Sequence, residues 1–169
     1  MFKKQDLIGT FDFSPRSSPL KMPNLVPHGM HYLIVWNATL QRYQADVEVE
    51  VENINNVGAF EFNVDVVLIA MGRVPQASAN TNVTLPGLTA RSSGLIACGS
   101  QRLALGTIDL PQFDRNFDLD IAAMISVDSP TTSLARGEVF ETIETDNMLT
   151  KTCRIYGLDH PDTSHRPCN

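Results

Sequence analysis

The residues best suited to chemistry form an acidic stretch near the C-terminal end of the chain. Glu141, Glu144, Asp146 and Asn147 lie close together, and Asp128 ends the preceding apolar segment. Carboxylate and amide oxygens are the hard ligands that Ca2+ takes, about six to eight at a time. The stretch is therefore a candidate calcium site. The alternative is that Glu144 and Asn147 bond backbone N–H groups of a turn and the other carboxylates are solvated, because no EF-hand spacing is present.

A second set of carboxylates occupies alternate positions of one segment, namely Asp46, Glu48, Glu50 and Glu52. Residues two apart on a strand lie side by side on one face. Paired catalytic acids instead face each other across the bond that they cleave. We therefore interpret this row as a solvated face whose mutual repulsion discourages pairing with another sheet edge.

The remaining reactive residue types show no catalytic pattern. His28, His31, His160 and His165 have no helical metal-ligand spacing, so we interpret them as surface histidines. The sequence contains no nucleophile elbow, phosphate-binding loop, dinucleotide fingerprint or zinc-protease motif. We expect neither enzymatic activity nor a cofactor, apart from the candidate calcium.

The three cysteines, Cys98, Cys153 and Cys168, are too few and too widely spaced for a structural zinc pattern. One disulfide with one free thiol is compatible with an exported chain, and three reduced thiols are the alternative. The redox compartment stays open at this point.

Composition limits the class of partner. The chain has 169 residues, 43% of them hydrophobic, and a formal charge of -6 from 13 basic and 19 acidic residues. These values are typical of one globular domain. No run of Lys and Arg suits a string of phosphates, so nucleic acid and anionic membrane surfaces are poor partners. The N-terminus lacks the continuous apolar stretch of a signal peptide, and no segment approaches the roughly 20 apolar residues that span a bilayer, so we expect no membrane insertion.

Apolar residues recur with a period of two, which predicts strands rather than helices. The clearest strands are 44–52, 60–68 and 117–127, and weaker ones are 32–40, 81–85, 94–105 and 148–156. About seven strands separated by long turn-rich gaps predict an all-β fold, an antiparallel β-sandwich.

The same pattern gives more detailed expectations. Strands 44–52 and 60–68 should form a hairpin-like pair across the turn residues between them, and 117–127 should sit centrally in its sheet. Gly99 is a candidate β-bulge, and Trp36 is expected to fill the core.

Three regions are expected along the chain. Residues 1–24 contain several prolines and form an arm or linker, within which Leu7, Phe11 and Phe13 belong to a short alternating segment that suits strand addition. Residues 25–157 form the sandwich. Residues 158–169 are polar and turn-like, typical of a frayed tail.

Several short motifs resemble the CARDB family, the cell adhesion related domain found in bacteria. At the start these are Asn24-Leu25-Val26, Val51-Glu52-Asn53 and Asn56-Val57-Gly58, followed by the alternating strand from Phe60 to Leu68. At the end the resemblance rests on the Asp-rich strand 120–128, the acidic turn 141–147 and the threonine-rich strand 148–155. The resemblance covers roughly residues 24 to 156.

The resemblance implies an immunoglobulin-like sandwich of seven strands that serves as a non-catalytic adhesion or protein-interaction module of a prokaryotic surface protein. An extracellular or cell-surface location would follow. The alternative is a structural subunit of a filament or virion, which adds its N-terminal arm to a neighbour's sheet. In both cases the partner is another protein or a second copy of the chain.

Overall fold

The structure is a computed structural model. It describes residues 21–73, 79–113, 118–129, 139, 141, 143, 145–155 and 165–168. The arm residues Leu7, Phe11 and Phe13, the acidic residue Glu144 and the histidine His160 lie outside the described residues.

Nine strands account for the regular structure of these residues, and none of the described residues is helical. The strands are β1 (Leu25–Asn37), β2 (Arg42–Asn53), β3 (Phe62–Arg73), β4 (Asn80–Thr84), β5 (Leu88–Ser92), β6 (Ser100–Asp109), β7 (Leu119–Val127), β8 (Met148–Ile155) and β9 (Arg166–Pro167).

The strands form two antiparallel sheets. The first has the order β6-β2-β1-β9, and the second has the order β4-β3-β7-β8 with β5 also paired to β3. The prediction of an all-β sandwich is therefore confirmed, with about nine strands rather than seven. Strand β7 has a neighbour on each side, as its apolar character predicted.

Alternation explains how the two sheets make one core. In β2 the inward side chains Ala45, Val47, Val49 and Val51 are at most 1% exposed. They belong to the same core cluster as the buried side chains of β3 and β7, among them Phe62, Leu68 and Ile121. Neighbouring residues on each strand point outward, because successive side chains of a strand lie on opposite faces.

The predicted hairpin between 44–52 and 60–68 is wrong. Strand β2 pairs with β1 and β6, whereas β3 pairs with β4, β5 and β7. The connection at 54–61 therefore crosses from one sheet to the other. Turn residues such as asparagine and glycine permit the chain to reverse but do not specify which sheet receives the next strand.

Two further local expectations are wrong. Trp36 is 40% exposed near the end of β1, where it packs edge-to-face on Tyr43 with 4.9 Å between ring centroids. The bulge in β6 lies at Gly106, with a φ of +111° and a register shift opposite Val47 and Glu48, and not at Gly99.

The described part of the C-terminal tail is held rather than frayed. Arg166 and Pro167 pair with β1, and Cys168 is buried and forms a disulfide with Cys153 of β8. This bond joins the two sheets, since β8 and β9 belong to different ones. Within the described ranges, no helix is long and apolar enough to cross a membrane.

Candidate functional site at one end of the sandwich

Several loops meet at one end of the sandwich because the antiparallel registers bring their strand ends together. Leu25 at the start of β1 pairs with Asn53 at the end of β2, and the end of β7 lies beside the start of β8. We call this region the loop end and define it as the described residues of 21–24, 54–61, 93–99 and 139–147.

Asn53 ties three parts of the loop end together. Its side chain is fully buried, and its Oδ1 accepts hydrogen bonds from the backbone N–H groups of Asn24 (3.2 Å) and Asn55 (3.3 Å). Its Nδ2 donates to the carbonyls of Val57 (2.7 Å) and Ile96 (3.3 Å). One amide therefore satisfies four backbone groups of loops that are distant in sequence.

The acidic stretch is attached to the same end through Glu141 and Asn24. Glu141 is 4% exposed, and its carboxylate accepts hydrogen bonds from the Leu25 N–H (2.5 Å) and from Asn147 Nδ2 (3.1 Å). Asn24 Nδ2 donates to Asp146 Oδ2 at 2.9 Å. The structure thus brings Glu141, Asp146 and Asn147 of the predicted calcium ligands together.

Asp128 supports the chain that follows β7. It is 2% exposed, adopts a positive φ of 49°, and accepts a hydrogen bond from the Val139 N–H at its Oδ2 (2.8 Å). Its own N–H donates to the carbonyl of Asn63 at 2.7 Å. Its carboxylate therefore anchors backbone.

The expectation of solvated carboxylates is wrong for Glu141 and Asp128, which are buried, and Glu141 rather than Asn147 accepts the backbone N–H. In the part of the chain that the structure describes, no group of three or more His, Cys, Asp and Glu side chains is arranged to hold a metal ion.

Apolar side chains are exposed on this framework. Phe60 is 86% exposed and Ile96 is 78% exposed, and Ile54 and Ile143 are about half exposed. Such exposure on a soluble domain is typical of a contact surface when the side chains are grouped. All four belong to the loop end.

The backbone beneath Phe60 and Ile96 is fixed. Their neighbours Ala59 and Leu95 are buried and exchange two hydrogen bonds, with N–O distances of 2.8 and 3.1 Å. Gly94 has a φ of +109°, and a Cβ there would lie 2.6 Å from the Ala59 carbonyl oxygen. Only glycine allows the two loops to approach this closely.

Charge next to Phe60 is compensated. Glu61 forms an ion pair with Arg91, with 3.0 Å between Glu61 Oε2 and Arg91 Nη2. Cys98 is exposed with a free thiol, and its N–H donates to the Asn55 carbonyl at 2.9 Å. Around Phe60 and Ile96 the loop end thus presents apolar side chains, a paired charge and one thiol.

The carboxylate row of β2 lies along the outer face of this strand. His165 Nε2 is 3.3 Å from Asp46 and 3.8 Å from Glu48. His31 Nε2 lies 3.5 Å from Glu50 Oε2, and His28 Nδ1 lies 3.6 Å from Glu52 Oε2. The surface assignment is wrong for His31, which is only 9% exposed. These pairs are spread along the strand and do not converge on one point.

Sequence reasoning missed the roles of Asn24 and Asn53. A signal for Asn53 was present, because it continues the inward positions Val47, Val49 and Val51 of β2. A polar residue at an inward position must find partners when it is buried. Asn24 has no equivalent signal.

Comparison with family models, with curated proteins and with solved structures finds no match to this chain. The resemblance to CARDB therefore stays a prediction that rests on the short motifs quoted above.

Proposed function

We propose that this chain is a non-catalytic adhesion or protein-interaction module of a prokaryotic surface protein, and that its contact surface is the loop end. The observation that carries the proposal is the exposure of Phe60 and Ile96 on a backbone that Asn53 and the Ala59–Leu95 pair hold in place. The partner that we assign to this surface is the loop end of a second copy.

The energetics favour a contact made by these side chains. Removing a Phe or Ile side chain from water contributes about 1.5–3 kcal/mol. Contacts made by ordered loops also lose less conformational entropy on binding than contacts made by loops that must first become ordered.

Charge distribution supports a second copy as the partner. A chain with a net charge of -6 repels its own copies where like charges meet. The carboxylate row of β2 lies on the side of the sandwich, and Glu61 next to Phe60 is neutralised by Arg91. Two loop ends related by a two-fold axis would place apolar side chains against apolar side chains.

The disulfide supports the location. Disulfides persist in oxidising compartments and are rare in the cytosol. Cys153 and Cys168 are both buried and joined, which fits an extracellular or cell-surface protein. No cofactor is needed for the proposed role.

A bead-clustering assay tests the function. Beads coated with the full chain display many copies, so that weak contacts add up to a measurable avidity. We expect coated beads to cluster, and Phe60→Ser with Ile96→Ser to abolish the clustering. The matched control is Leu40→Ser, which removes a 45% exposed side chain at the opposite end and should leave clustering unchanged. Dispersed wild-type beads, or clustering that survives the double substitution, would overturn the proposal.

The alternative, an assembly subunit that uses strand addition, is favoured by one observation. Strand β6 is the edge of its sheet, so one side of this ten-residue strand has no partner among the described strands. The segment with Leu7, Phe11 and Phe13 would supply the added strand. Deletion of residues 1–20 separates the two functions: it abolishes self-association by strand addition and leaves the loop-end contact intact.

A further inference from the structure

Two neighbouring residues of the loop end carry buried oxygens that have no hydrogen-bond partner among the described residues. These are Asp146 Oδ1 and Asn147 Oδ1. The second oxygen of Asp146 accepts from Asn24 Nδ2, and Asn147 Nδ2 donates to Glu141 Oε1. The orientation of the Asn147 amide is fixed by this bond, because the reverse orientation would place two oxygens against each other.

Such atoms are costly to leave bare. A buried acceptor without a partner loses about 1–3 kcal/mol of solvation that nothing replaces, and more when it belongs to a charged group. Asn147 is buried, with only 7% of its surface exposed to solvent. The two orphaned oxygens on consecutive residues therefore mark a place where a partner is missing.

We propose that this partner is a calcium ion bound at Asp146 Oδ1 and Asn147 Oδ1. The chemistry of the donors selects the ligand, because a carboxylate and an amide oxygen are hard donors suited to Ca2+. Asp146 forms no ion pair with the described Lys, Arg and His residues, so its negative charge is available to a cation. One of the two proposed calcium ligands is an amide oxygen, so the site is not made of acidic side chains alone.

Calcium at this position would stabilise the loop end. Asp146 is bonded to Asn24, which precedes β1, and Asn147 is bonded to the buried Glu141. A cation held by both residues would join the start of β1 to the start of β8. The inference is independent of whether copies adhere through Phe60 and Ile96.

The test uses the full chain, the chloride salt of calcium and two matched substitutions. Asp146→Asn removes the negative charge and places an NH2 group or a neutral amide oxygen at the site. Asp118→Asn is the control, because it makes the same chemical change at an exposed residue outside the loop end. Titration calorimetry measures binding directly, and thermal unfolding is compared in 10 mM calcium chloride, in chelator, and in sodium chloride of equal ionic strength.

We expect one equivalent of calcium to bind with a Kd of about 0.1–1 mM, the range of extracellular modules. The melting temperature should then rise by about 3–10 °C in 10 mM calcium. Asp118→Asn should keep this rise, and Asp146→Asn should lose it.

Either of two results overturns the proposal. If the wild-type chain gives no calorimetric signal at millimolar calcium, ordered water and not calcium is the partner of the two oxygens. Binding that Asp146→Asn leaves unchanged would place the calcium elsewhere. A wild-type chain that binds no calcium overturns the proposal even where the Asp146 variant fails to fold.

Discussion

At the scale of single residues, buried asparagines determine the shape of the loop end. Asn53 and Asn24 are at most 1% exposed, and each bonds groups from loops that are far apart in sequence. An amide suits this position because it donates and accepts at the same time. The exposed side chains Phe60 and Ile96 depend on these bonds for a fixed position.

Substitution of Asn53 tests this dependence. Asn53→Ala leaves four backbone groups without their side-chain partner, so we expect it to lower the free energy of unfolding by about 2–4 kcal/mol. Urea denaturation measures the change. Asn56→Ala, an exposed asparagine of the same loop, should cost no more than about 0.5 kcal/mol. Equal effects of the two substitutions would show that Asn53 does not hold the loops.

At the scale of the elements, the sequence was sufficient for the strands with the clearest alternation. Residues 44–52 lie within β2, and β7 (Leu119–Val127) falls within the predicted 117–127; the inward side chains of both strands are buried as expected. One-sided burial imposes a period of two on the residue types, and this period can be read locally.

The pairing of these strands was not readable in the same way. The residues between β2 and β3 favour a turn, but a turn is compatible with a hairpin and with a crossing between sheets. Strand β5 was missed because its apolar pattern is short and weak. Only Leu88 and Ala90 alternate with its polar residues, and both are only half-buried. The exposure of Trp36 depends on how far the opposite sheet extends, which no local pattern encodes.

The candidate site was likewise predictable from the sequence only in part. Its acidic residues were predictable as a group from their spacing, whereas their burial was not. Glu141 is buried because Leu25, at the start of a distant strand, donates its N–H to the carboxylate. Contacts between residues more than 100 positions apart leave no trace in local composition.

The link between β8 and β9 gives a prediction about the elements. The disulfide closes a separation of 15 residues, for which loss of the bond is expected to cost about 3 kcal/mol. The double substitution Cys153→Ser with Cys168→Ser should therefore lower the urea midpoint and remove its sensitivity to reductant. Cys98→Ser, which changes the exposed free thiol, should leave both unchanged.

Thiol titration of the unfolded chain checks the pairing itself. Without reductant we expect one reactive thiol per chain, and after reduction we expect three. Three thiols before reduction would contradict the disulfide and remove the support that it gives to an extracellular location.

At the scale of the whole molecule, different surfaces carry different chemistry. The outer face of β2 is acidic and partly covered by histidines, the disulfide joins the two sheets beside β1, and the apolar side chains project from the loop end. Under our proposal the apolar loop end is the surface that contacts a second copy, and the acidic face of β2 is a surface that repels one.

Chemical cross-linking through Cys98 tests the copy-to-copy contact most directly. A short bis-maleimide should join the Cys98 thiols of two wild-type chains into a covalent dimer, because this exposed thiol belongs to the loop end. A Cys98→Ser, Thr39→Cys variant, which moves the thiol to the exposed turn at the opposite end, should stay monomeric. Dimers formed as readily through Thr39→Cys, or a wild-type chain that stays monomeric, would contradict the account.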